Sequence, residues 1–179
     1  MHPSGHNWCM RFLTIVRHAE STPAPAGGSD RQRTLSARGE AQCAQLRAWA
    51  LDPDALGAYG PVTALVSAAT RTTQTFNESF ADTPFVADVE FSSLIYNGHR
   101  DVTADDLLID LAAIDPVTTS LLTVAHNPTV TELLATLLGD LPASAHEGIP
   151  VGGAYVVRIK DNEPVGRTSY EFVTAYLPD

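Results

Sequence analysis

Residues Phe12 to Glu20, reading FLTIVRHAE, constrain this chain more than any other stretch. An apolar run of Phe12, Leu13, Ile15 and Val16 ends abruptly in Arg17 and His18, with Glu20, Ser21 and Pro23 close behind. The run reads as a strand buried on both faces, spanning Arg11 to Val16. It delivers a guanidinium and an imidazole to its carboxyl end, where ligands of open α/β sheets collect.

Two later junctions repeat the pattern. A second buried strand over Thr63–Val66 runs into a helix that Ser67 would cap and that ends near Phe80, with Arg71 one turn inside it. A third apolar strand, Ser120–Ala125, is followed by His126 and by a helix opening at Pro128 and stopping at Gly139. Proline at the first helical position loses no hydrogen bond. Between these junctions, Pro- and Gly-containing residues 19–34 form a loop, and Leu35–Leu51 is a helix with Ser36 as N-cap. Phe85–Val89 reads as a short strand, Leu94–Arg100 as a loop, and Thr103 with Asp106 as a capping box opening a further helix. Ala154–Ile159 and Tyr170–Ala175 are strands joined by a hairpin-type connection over Lys160–Arg167. Strand and helix alternate for most of the length. A three-layer α/β/α sandwich with a mainly parallel sheet and antiparallel pairing at one edge is therefore expected.

The 179 residues form one domain over 11–179, preceded by a flexible segment over 1–10. His2, His6 and Cys9 in that segment could bind a metal, but a frayed terminus is the simpler reading. Two cysteines make no disulfide framework, which points to a reducing cytoplasm, and no run is long enough to span a bilayer. A formal charge of −10 argues against nucleic acid or anionic membrane as partners. An anionic substrate must then be captured by a local cationic pocket. Lys160 is the only lysine among eleven basic residues, so that pocket is built from arginine, which suits phosphate through planar bidentate donation.

In a parallel sheet the three junctions share one edge, and Arg17, His18, Arg71 and His126 converge there as four cationic or potentially cationic groups. Helix N-termini beside Arg71 and His126 add unpaired N–H groups. The natural guest is a phosphoryl group. A neutral imidazole at His18 is a competent nucleophile, and attack on phosphorus gives a phosphohistidine that water then hydrolyses. Arg17, Arg71 and His126 would hold the equatorial oxygens, so no metal or other cofactor is called for.

The motif Val16-Arg17-His18-Ala19-Glu20 resembles the signature of the histidine phosphatase superfamily, which includes phosphoglycerate mutases. Leu35-Ser36 with Gly39 and Gln42, Val66-Ser67 with Arg71, Thr72, Gln74 and Thr75, Ala125-His126-Asn127-Pro128, and Gly152-Gly153-Ala154 follow in family order. The resemblance implies a phosphoglycerate mutase-like fold, His18 as phosphate acceptor, and Arg17, Arg71 and His126 as the phosphate pocket. The short chain and the run from Leu94 to Arg100 into a helix look most like SixA-like phosphohistidine phosphatases.

Ala19 and Ala125 stand where relatives commonly have glycine. Larger members protonate an ester leaving group with an acid. Here Glu90 is the nearest in order, and Ser93 occupies the place where a glutamate would be sought. A missing acid, with about 10²–10⁴-fold of proton-transfer catalysis at stake, favours a phosphohistidine protein as substrate over a small phosphate ester. Inorganic phosphate is the product in either case. A non-catalytic phosphate-binding module is the remaining alternative. Glu20 and Tyr96 are further candidates for substrate binding, Glu20 reading first as an ion-pair or loop hydrogen-bond residue and Tyr96 equally as a cover for the core. His99 and Arg100 could line the mouth, Cys43 reads as a buried small hydrophobe, and His146 has no assigned chemistry.

Overall fold

The apolar runs that read as strands form one six-stranded sheet in a computed structural model, which describes residues 12–98, 101–114, 120–159 and 170–178. Strands β1 (Phe12–Arg17), β2 (Val62–Ser67), β3 (Val86–Ser92), β4 (Ser120–Ala125), β5 (Ala154–Ile159) and β6 (Tyr170–Tyr176) lie in the order β3-β2-β4-β1-β5-β6. β1 to β4 pair in parallel, and β5 and β6 close one edge in antiparallel register. Residues 1–10, His99, Arg100 and the 160–167 connection lie outside the described residues.

Alternation along each strand splits the core between two faces. Leu13, Ile15, Leu65 and Leu121 meet Leu107 and Leu111 of α3 (Ala104–Ala113) and Leu133, Leu134 and Leu137 of α4 (Thr129–Leu138). Val16, Val66, Leu122 and Val124 meet Leu46 of α1 (Ala37–Ala50), Phe76 of α2 (Thr70–Ser79) and Phe80 at the C-cap of α2. Two helices on each face make the three-layer α/β/α sandwich. Among the described residues, no helix is long and apolar enough to cross a membrane.

Helix boundaries follow the capping chemistry. Ser36 accepts from Gly39 N, and Thr103 with Asp106 forms the reciprocal box that opens α3. Gly39 has a second duty, because a Cβ there would stand 2.0 Å from the carbonyl oxygen of Glu20. Only glycine lets α1 approach the chain leaving β1 so closely.

Three expectations need correction. Ser67 does not cap α2. It is the last residue of β2, Ala69 is the N-cap, and the Ser67 hydroxyl is engaged with His126. β3 runs to Ser92 rather than ending at Val89. It is an exposed edge strand in which Asp88 and Glu90 face solvent, so its polar residues hide a strand from an apolar-run reading. Pro128 stands at the N-cap of α4 rather than at its first helical residue.

Candidate active site

The parallel pairing of β1, β2 and β4 brings three strand ends together, and the side chains of the following residues meet there. His18 N donates to Ala125 O at 3.1 Å, joining the ends of β1 and β4 by backbone alone. The His18 and His126 rings lie edge to face with centroids 5.1 Å apart. Arg71, in the first turn of α2, reaches both. Its Nε donates to His18 Nε2 at 3.2 Å, and its Nη2 lies 3.3 Å from His126 Nδ1.

These contacts assign the proton on each ring, since a guanidinium donates only and a carbonyl accepts only. His18 Nε2 accepts from Arg71, so Nδ1 carries the hydrogen and donates to Ala19 O at 2.8 Å. The free lone pair of the ring is therefore on Nε2, turned toward Arg71. His126 is the opposite tautomer. Its Nδ1 accepts from Arg71, and its Nε2–H donates to Ser67 Oγ at 2.9 Å.

Burial, then the charges of Arg71, Arg17 and Arg33, pushes the His18 pKa down to about 4 despite the opposing hydrogen bond to Ala19 O. His126 is pushed down to about 2, chiefly by burial, then by His18 and Arg71. Both imidazoles are neutral at pH 7. The four groups do converge, but the positive charge of the pocket comes from arginine.

Arg17 is held from the other side. Its Nη1 donates to Ile149 O at 2.8 Å, while its buried Nε has no partner among the described residues. Ile149 O also accepts from Asn127 Nδ2, and Ile149 N donates to Thr131 Oγ1, so the loop before β5 is pinned to α4. A buried cationic N–H without a protein acceptor suits an anionic ligand.

The alanines at the two junctions fit without strain. Ala19 is fully buried in a small cluster with Leu35 and Cys43, and its N–H donates to Thr75 Oγ1. Ala125 is buried against the α3–α4 face of the core.

Glu20 does not join the cluster. Its carboxylate accepts from Ser36 Oγ at 2.7 Å and lies 3.7 Å from exposed Arg38, so it braces the start of α1. Tyr96 does join. It is buried, its ring lies 5.8 Å from that of His126, and a Cβ on Gly98 would stand 2.0 Å from it. Glu90 is exposed on β3 opposite Leu65, two positions before the strand end. Ser93 is exposed, and its carbonyl accepts from Tyr96 N.

Two residues of the 19–34 loop enter the site unannounced by sequence. A one-turn helix over Asp30–Gln32 lays Asp30 against Arg71, with Oδ2 accepting from Nη2 at 3.0 Å and the backbone carbonyl accepting from Nη1 at 2.8 Å. The Tyr96 hydroxyl donates to the same Oδ2 at 3.0 Å, and Arg33 Nη1 donates to Oδ1 at 3.1 Å. Desolvation opposes ionisation here, but the donors Arg33, Tyr96 and Arg71 outweigh it and hold the carboxyl at about 2. Arg33 also donates to Thr22 O, and Arg31 lies with its guanidinium carbon 5.6 Å from the Tyr96 ring centroid. The signal that could have found Asp30 is a lone acid among three arginines, Arg31, Arg33 and Arg38, in an otherwise acidic chain. Among the described residues, no three His, Cys, Asp or Glu side chains are placed to hold a metal ion.

No protein-family model and no curated protein sequence matches this chain. Solved structures do match. One, assigned provisionally as the phosphohistidine phosphatase SixA of Agrobacterium tumefaciens, superposes with a TM-score of 0.73 at 24% identity, over 94% of this chain and 99% of that one. The protein histidine phosphatase SixA complexed with tungstate gives 0.69 at 20% identity, over 92% and 95%. A phosphoserine phosphatase of Entamoeba histolytica with 3-phosphoglyceric acid gives 0.58 at 15%, over 90% and 96%. Mixed six-stranded sheet, helix pairs and near-complete coverage agree: the fold of this chain is the phosphoglycerate mutase-like fold of the histidine phosphatases.

Proposed function

We propose that this protein is a phosphatase in which His18 Nε2 attacks phosphorus and carries the phosphoryl group as a covalent intermediate. One observation carries the reading. The His18 lone pair is fixed on Nε2 by the Nδ1–H bond to Ala19 O, and it faces the guanidinium that would receive the phosphoryl oxygens. Burial and neighbouring arginines keep it unprotonated, so it needs no partner base. Arg17 and Arg71 supply the fixed positive charge that phosphoryl transfer relies on. His126, neutral and anchored by Ser67, completes the wall.

A phosphohistidine side chain on a partner protein is the preferred substrate. Among the described residues between Arg71 and His126, α2, β3 and α3 build the sandwich, and the loop carrying Tyr96 adds no helix over the site. The rim from the 22–34 loop is exposed, as access by a folded partner requires. A second reading, hydrolysis of small phosphate esters, is favoured by Asp30, a half-exposed acid paired with Arg71. Measuring kcat/KM for a phosphohistidine-bearing protein and for simple monoesters separates them. A higher value on the protein supports the first reading, and a higher value on the esters replaces it with the second. Tungstate, bound by a protein of the same fold, should bind here competitively with phosphate.

A further inference from the structure

Asp30 poses a chemical question that the His18 mechanism leaves open. Its carboxylate accepts from Arg71 Nη2, which the proposed mechanism assigns to the phosphoryl group, and also from Arg33 Nη1 and the Tyr96 hydroxyl. One guanidinium separates it from the nucleophile, because Arg71 gives Nε to His18 Nε2 and Nη2 to Asp30 Oδ2. Bringing a phosphoryl anion into this cradle draws Arg71 away from the carboxylate and sets two negative groups side by side. Such a pair is stabilised when it shares a proton.

We infer that Asp30 is the proton-transfer residue of the site, acid toward the leaving group and base toward the attacking water. The inference rests on the phosphatase reading above. The phosphoryl group enters as its monoanion and shares its proton with Asp30. As the Nε2–P bond forms and the bond from phosphorus to the leaving group breaks, the proton passes from Asp30 to the departing oxygen or nitrogen. In the second half, water attacks phosphorus, the Nε2–P bond breaks, and the proton of the water passes to the Asp30 carboxylate. It leaves with inorganic phosphate, so the enzyme returns unchanged.

The groups facing this carboxylate define its titration. They are Arg33 from its own loop, Arg71 from α2 and Tyr96 from the loop after β3, with Arg31 over the Tyr96 ring. His126, at the β4–α4 junction, feels the Asp30 charge, and His18 lies across Arg71. The backbone carbonyl of Asp30 holds Arg71 independently of the carboxylate, so Asp30→Asn preserves one anchor and an acceptor oxygen. The acid also reconciles an open pocket with ester chemistry, because an alkoxide leaving group no longer departs unprotonated.

The test is a leaving-group comparison on wild type, Asp30→Asn and Asp30→Ala, with folding checked by circular dichroism. The expected result is a loss of about 10²–10⁴-fold on an alkyl phosphate and a much smaller loss of phosphorylation rate on 4-nitrophenyl phosphate, whose leaving group needs no proton. With the nitrophenyl ester, phosphoenzyme should accumulate in Asp30→Asn, since hydrolysis loses its base. Equal losses on both esters would make Asp30 a positioning residue, and faster turnover would make it a competing anion. Either result overturns the inference. Absence of trapped phosphoryl group on wild-type His18 would instead sink the underlying phosphatase reading.

Discussion

The junction half of the pocket and its loop half are held in different ways. Arg17, His18, Arg71 and His126 stand at strand ends or in a first helical turn. Arg71 and His126 are buried, Ser67 fixes His126, and backbone carbonyls fix Arg17 and His18. Asp30 and Arg33 sit on a loop whose residues are largely exposed, and they are tied to the site by side-chain ion pairs with Arg71 and with each other. On the proposed reading, the first half is preorganised for charge developing on phosphorus. On the same reading, the second can yield Arg71 to an arriving anion, because the Asp30 end of that pair is half exposed and water can take the place of the guanidinium there. The difference teaches that one pocket can combine rigid electrostatics with an exchangeable carboxylate.

The largest expected effect lies in the rigid half. Arg71→Ala removes a side chain that touches both imidazoles and Asp30, and it should lower kcat by about 10²–10³-fold. Steady-state rates on a phosphohistidine protein check this, and a loss below tenfold would place the phosphoryl group elsewhere. Gly39→Ala comes next. Its Cβ would collide with Glu20 O, so α1 must shift, at a cost of about 1–3 kcal/mol in denaturant unfolding. A neutral result would mean that the chain leaving β1 is not clamped by α1.

The two neutral imidazoles set an acid dependence. Their folded pKa values, about 4 for His18 and about 2 for His126, lie below the unfolded value of about 6.5. Between those limits the unfolded chain binds more protons, so stability falls as pH drops. From pH 7 to 5 each imidazole should remove about 2 kcal/mol. Thermal unfolding at the two pH values checks the sign, and His126→Asn should lessen the drop. A protein equally stable at both would contradict the neutral assignments. The smallest effect belongs to the loop half. Arg31→Ala loses the contact of an exposed guanidinium with the Tyr96 ring and its Nε hydrogen bond to Ala68 O, and should change stability by about 0.5–1 kcal/mol.

The same division governs what the sequence reveals. β1, β2 and β4 announce themselves as apolar runs, and a parallel sheet forces their ends together, so the junction half was legible from chain order and residue type. Asp30 was not. Its contact with Arg71 crosses 41 positions and depends on a one-turn helix within a Pro- and Gly-containing loop. Ser67 hides its role for a related reason, since serine before a helix reads as a cap unless a distant histidine takes its hydroxyl. β3 was cut short because its edge exposes polar residues. Local chemistry is written locally, and tertiary reassignment of a polar side chain is not.

The most direct test of the central claim is rapid quenching with a radiolabelled phosphohistidine protein, comparing wild type with His18→Ala. The account predicts acid-labile label trapped on wild-type His18 at early times, with neither label nor turnover in the variant. Turnover that survives His18→Ala would contradict it.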